Sequence, residues 1–204
     1  RGGGRIEKDA NGNEVFFIKQ APVKPSALEQ SWEPGPIANS RYTDEEMQEH
    51  ILSRTLSDGR PDMNQVLGDF APGWQIKNCG LEMDPGMRAE YRGRQQVLVT
   101  HPEDGATACV LWREGTLPQL ATSAKLRLTV SHHEGGDWQL IVRVNDQDLL
   151  STPIGEETVK DGWRTVEVDL APYAGKTIRL EVLNQPTGWF CEAAYWGEIA
   201  IDGV

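Results

Sequence analysis

The chain is short of cysteine, of positive charge and of any long apolar run. Cys79, Cys109 and Cys191 are its three cysteines, and no C-x-x-C occurs. Zinc ribbons, thioredoxin-type redox motifs and haem attachment each need that spacing, so all three are excluded. One disulfide with a free thiol, or three buried thiols, both fit the count, and the spacing does not choose between them. Lys and Arg number 20 against 31 Asp and Glu, a formal net charge of −11. Such a surface repels phosphate, which argues against nucleic acid and anionic membranes as partners. No apolar stretch is long enough to span a bilayer, so no membrane insertion is expected. There is no fixed-period repeat and no low-complexity tract.

What remains is an ordinary globular composition, 38% hydrophobic and 25% charged over 204 residues. That is enough for one good core plus an appendage. The chain opens Arg1-Gly2-Gly3-Gly4, which reads as a fragment or a processed product and leaves room for a removed signal peptide. Tryptophan is plentiful, at seven residues. Four of them lie in or beside expected strands, where a large apolar ring belongs in a core.

The strongest pattern runs from Lys125 to Ile201, a series of short segments with a period of two. Trp138, Leu140, Val142 and Val144 share one face of their segment. Val166, Val168 and Leu170 alternate with Thr165, Glu167 and Asp169, and Ile178, Leu180 and Val182 alternate with Arg179 and Glu181. Successive strand residues point to opposite faces, so each segment has one buried and one wet face, as antiparallel sheets do. Ten strands are expected, near residues 74–78, 88–91, 96–100, 108–113, 125–132, 139–145, 149–151, 164–170, 177–183 and 194–201. The fold class is therefore all-β, an antiparallel jelly-roll β-sandwich occupying residues 71–204. Trp138, Leu140, Val142, Val166, Val168, Ile178, Leu180, Ile199 and Ile201 should share one core.

Residues 1–70 read as an N-terminal extension, mostly irregular and interrupted by Pro22, Pro25, Pro34 and Pro36. Val15-Phe-Phe-Ile18 is one candidate strand. One short α-helix is expected near 44–56, with Thr43 as N-cap, Glu46 closing a capping box, and Met47, Ile51 and Leu52 as its apolar stripe.

The segment Gly162-Trp163-Arg-Thr-Val-Glu-Val-Asp-Leu170-Ala-Pro-Tyr-Ala-Gly175-Lys-Thr-Ile-Arg-Leu-Glu-Val182 resembles the W-x-x-V-x-V-D-L-x-x-Y-x-G-x-x-V-x-L-x-V stretch of galactose-binding-domain-like sandwiches, the discoidin and carbohydrate-binding-module type. Ala194-Tyr-Trp-Gly-Glu-Ile-Ala-Ile201 is similar to their last strand, and Ser131–Leu140 fits a middle hairpin. The resemblance covers roughly residues 74 to 201. It implies a glycan ligand, neighbouring domains in a larger chain, and a secreted, periplasmic or cell-surface location. It also implies that Glu198, on the last strand, helps hold a structural Ca²⁺ with backbone carbonyls, although no partner acid stands near Trp74.

The connection before the last strand is the leading ligand-binding candidate. It carries Trp189, Phe190, Glu192, Tyr195 and Trp196; sugar C–H faces stack on such rings while acids take hydroxyls. The same rings could instead plug the end of the sandwich. Other constellations are weaker. His132 and His133 are adjacent, so on a strand they face opposite ways and cannot easily share an ion, whereas with His133 already in the turn they could converge with Glu134. Cys109 with His101 or His132 lacks any local signature of a nucleophile. Glu192, Glu198, Asp137 and Asp104 offer carboxylates for glycoside hydrolysis, with no known separation. The leading expectation is a non-catalytic carbohydrate-binding accessory module. A structural sandwich packed against a neighbouring domain, or a small hydrolase with an unrecognised site, are the alternatives.

Overall fold

The computed structural model describes residues 60–203, together with the backbone of two short strands, β1 (Arg5–Lys8) and β2 (Glu14–Phe17), which pair antiparallel with Arg5 opposite Phe17. The helix expected near 44–56 lies outside the described residues. β2 falls on the candidate strand at Val15–Ile18.

The ten strands expected from residue 74 onward all form. They are β3 (Gln75–Lys77), β4 (Gly86–Tyr91), β5 (Arg94–Thr100), β6 (Cys109–Thr116), β7 (Lys125–His132), β8 (Trp138–Val144), β9 (Gln147–Ile154), β10 (Arg164–Asp169), β11 (Thr177–Gln185) and β12 (Ala194–Asp202). They make two five-stranded sheets, in the order β10-β7-β12-β5-β4 and β3-β6-β11-β8-β9, and every pairing is antiparallel. The chain is an all-β sandwich. The period of two is the cause: β8 and β10 alternate between buried and wetter positions along their length, and the inward faces meet in one cluster. That cluster holds all nine residues assigned to it from the alternation, Trp138, Leu140, Val142, Val166, Val168, Ile178, Leu180, Ile199 and Ile201. Tyr173, in a short 3-10 turn at Ala171–Tyr173, packs its ring against the same core at the end where β10 hands over to β11.

One helix, α1 (Met63–Phe70), was not legible from periodicity, because eight residues span little more than two turns. Asp62 caps it, accepting from the amides of Asn64 and Gln65 at 3.1 and 3.3 Å. Val66, Leu67 and Phe70 are buried in the sandwich core. Asn64 Oδ1 accepts from the Ile76 amide at 2.9 Å, which ties the helix to edge strand β3.

β12 carries a bulge between Trp196 and Glu198. Trp196 lies opposite Val130 and Ile199 opposite Leu128, both inward positions of β7, so the extra residue, Gly197, restores inward phase for Ile199 and Ile201. A side chain at Gly197 would meet Arg94 Cδ at 2.5 Å and the Trp163 ring at 3.0 Å.

Candidate functional site

The connections β5–β6 (101–108), β7–β8 (133–137) and β11–β12 (186–193) gather at one end of the sandwich, and their backbones touch. A Cβ on Gly136 would fall 2.1 Å from the Cys191 carbonyl oxygen, so only glycine permits that approach. The β11–β12 connection is held from inside by Glu192, which is 1% exposed. Its carboxylate accepts the Thr187 amide at 3.0 Å and the Gly188 amide at 2.8 Å. Thr187 Oγ1 donates to Asp137 at 2.8 Å, linking this connection to the β7–β8 turn. Charge-assisted bonds of this kind fix a loop strongly where water is excluded.

On this pinned loop stand two exposed rings, Trp189 at 45% and Phe190 at 71% exposure. Trp189 is braced. Its ring meets the edge of His101 at 5.2 Å between centroids and 81° between planes, and it lies against Gly105, where a Cβ would be 3.7 Å from the ring. The supporting turn is organised by Asp104, which accepts the Ala106 and Thr107 amides at 2.8 and 2.7 Å and the Thr107 hydroxyl at 3.0 Å. Those donors, the Ala106 amide first, hold the Asp104 carboxyl below its ordinary range.

The five ligand candidates therefore separate. Trp189 and Phe190 face solvent, and Glu192 is a buried anchor that no ligand reaches in this arrangement. Trp196 is a core ring, fully buried, with Nε1 donating to Thr100 Oγ1 at 2.9 Å and its ring 5.1 Å from that of Trp138. It is a correction to the expectation, and the bulge at Gly197 is its physical reason. Alternation counted back from Ile199 puts Trp196 outward, and the inserted residue turns it in. Tyr195 points to the outer face of its sheet but is nearly covered. It stacks on Tyr91 at 3.9 Å, with 19° between planes, in a satellite cluster with Val97, Val99, Ala193 and Trp163. Burial raises both phenols above the ordinary tyrosine value, so both are neutral. Tyr91 and Trp163 were not anticipated as its partners, because the β4–β5 hairpin and the start of β10 are far apart in sequence.

The remaining candidates are occupied elsewhere. Glu198 gives both oxygens to Arg127, at 3.1 and 3.3 Å, with Thr129 Oγ1 at 3.4 Å. A guanidinium thus stands where a cation would sit, and among the described residues no three His, Cys, Asp or Glu converge. The surroundings of Glu198 do not fit calcium. His132 is buried with Nδ1 2.8 Å from the Gly136 carbonyl, while the Nδ1 of His133 lies 2.8 Å from the Glu134 carbonyl, so the pair does not converge. Cys109 is fully buried in the core, and burial pushes its thiol well above the usual value, the opposite of an activated nucleophile.

No family model and no curated protein matches the chain. Solved structures similar to it include an apo cyclase from Fischerella sp., 12% identical, covering 64% of this chain and 82% of that one, with a TM-score of 0.43. A family 35 carbohydrate-binding module from Paenibacillus barcinonensis is 16% identical, with 63% and 91% covered and a TM-score of 0.40. The carbohydrate-binding module TmCBM61, solved with β-1,4-galactotriose, is 10% identical, with 63% and 86% covered and a TM-score of 0.44.

Proposed function

We propose that the chain is a non-catalytic carbohydrate-binding accessory module of a larger secreted or periplasmic protein, and that it presents Trp189 and Phe190 to the C–H faces of a sugar. The observation that carries this reading is the pairing of exposed rings with a rigid mount. Glu192 clamps the loop from within, and His101 and Gly105 brace the indole. A ring fixed before binding loses little freedom on stacking, which is how a shallow surface gains affinity. Affinity is expected to be weak, since a flat platform leaves most of the ligand wet. Asp104, Asp137, Glu192 and Glu198, the acids considered for glycoside hydrolysis, are each engaged in structural bonds, so they lend the hydrolase reading no support. No helix among the described residues is long and apolar enough to cross a membrane.

A second reading has its own observation. Leu81, at 58% exposure, and Phe190 are large apolar residues left bare, as a sandwich covered by a neighbouring domain would leave them. One experiment separates the two. Wild type and the double variant Trp189→Ala/Phe190→Ala are passed over a panel of immobilised polysaccharides, with thermal midpoints recorded in parallel. Retention of wild type on some glycan, lost in the variant at unchanged midpoint, supports the module. Retention on no glycan removes it and leaves the packing domain.

A further inference from the structure

Strand β3 faces its two ways cleanly, with Ile76 buried in the core and Gln75 and Lys77 exposed. Continued alternation would point residue 78 inward and residue 79 outward. Asn78 breaks that rhythm with φ +56, a left-handed conformation asparagine tolerates better than most residues. The phase slips by one, and Cys79 turns in to pack against the sandwich core. On the neighbouring strand β6, Lys77 pairs with Val110, so Cys109 stands one step beyond the last paired position, also facing the core. Continued one step, that register sets Asn78 opposite Cys109, so Cys79 is its diagonal neighbour, and both cysteines pack against the same core. Both are free thiols here, and Cys191, in the β11–β12 connection, is the third.

We infer that Cys79 and Cys109 form an intramolecular disulfide that fastens the end of edge strand β3 to β6, with Cys191 left as the single thiol. The chemistry is thiol–disulfide exchange with a small-molecule disulfide such as oxidised glutathione. Cys79 is partly buried and Cys109 is fully buried, so a reagent reaches Cys79 first, and Cys79 loses its proton and attacks. Its sulfur bonds to one sulfur of the reagent and expels the other as a thiolate, giving a mixed disulfide. Cys109, its proton passed to that departing thiolate, then attacks the Cys79 sulfur and expels the second half of the reagent. Two protein thiols are oxidised, and one small disulfide is reduced to two thiols. The neighbouring Cys109 thiol and the His101 backbone lower the Cys79 thiol's pKa, while burial raises that of Cys109, in keeping with this order of attack. The bond bears on the loop end as well. Gly80 donates its amide to the His101 carbonyl at 2.9 Å, and the His101 ring braces Trp189. The inference is independent of whether that end binds glycan.

The full chain is incubated with oxidised glutathione, denatured, alkylated and digested, and the same is done after dithiothreitol. The expected result is one alkylated thiol, at Cys191, and a peptide pair joined through Cys79 and Cys109 that separates on reduction. Reduction should lower the thermal midpoint by roughly 5–15 °C for a loop of this length. Cys191→Ser should form the same linkage, whereas Cys79→Ser should keep two alkylatable thiols and a midpoint indifferent to reductant. Three alkylated thiols after oxidised glutathione, or a linkage that includes Cys191, overturns the inference. A Cys79–Cys109 linkage with no change in midpoint overturns its role as a fastening.

Discussion

Trp189 and Trp196 flank the start of β12, and the two regions they belong to use the same side chain for opposite ends. In the strand, the indole is enclosed, its N–H is satisfied by Thr100, and its neighbours are Trp138 and the aliphatic core. In the connection before it, the indole is braced by His101 and Gly105 and about half of it stays exposed. Neither tryptophan is loose. The difference is where the fixing groups stand: around the ring in the strand, and beneath it in the loop. A ring enclosed on every side contributes to stability, whereas a ring fixed from beneath keeps a face to offer.

Substitutions can break this contrast, and the largest effect belongs to the enclosed ring. Trp196→Ala should cost about 3–5 kcal/mol in urea unfolding, through lost burial and the cavity left behind. A loss below about 1 kcal/mol would show that the ring is not the core residue described. Next comes the clamp. Glu192→Gln replaces one acceptor oxygen with a donor that faces an amide of Thr187 or Gly188, and should cost about 1–3 kcal/mol. Because the same change frees the loop, glycan retention should fall with it; unaltered unfolding and retention together would remove Glu192 from its place beneath the platform. Trp189→Ala should change stability by less than about 0.5 kcal/mol, as surface substitutions do. A cost comparable to that of Trp196→Ala would make Trp189 a plug and erase the contrast.

The smallest effect is one of pH. Asp104 is held below its ordinary carboxyl range by the Ala106 and Thr107 donors. A depressed folded-state pKa means the group stabilises the fold at neutral pH and loses that contribution as pH falls through the folded value. The difference in thermal midpoint between wild type and Asp104→Ala should therefore be present at neutral pH and shrink on acidification below about pH 4. A difference that grows with acid would mean the turn is not organised by the carboxylate.

The sandwich was legible in the residues because one face of each strand is apolar and the other polar, and that parity survives whatever the strands pack against. β8, β10 and β11 announce themselves this way. α1 escaped because so short a helix shows its stripe only three times, at Val66, Leu67 and Phe70. The site was half legible. Aromatic density in residues 189–196 drew attention to the right connection, but density does not say which rings face out. That was decided by one bulge, and Gly197 in a strand is its only trace in the sequence. The bracing by His101 and Gly105 comes from a connection remote along the chain, and only the turn signal of Asp104 with Thr107 hinted that this stretch was ordered.

The glycine contact between the β7–β8 turn and the β11–β12 connection also sets how this protein can change. Where two backbones touch without side chains between them, no bulkier residue can stand at Gly136 without displacing the β11–β12 connection. The tips are under no such restraint: Phe190 reaches into open solvent, and its replacement disturbs little else. Single-residue changes at the tips are thus tolerated, whereas a bulkier residue at Gly136 requires the β11–β12 connection to move with it. An engineer varying this end would do well to change Trp189 and Phe190 and to leave Gly136 alone.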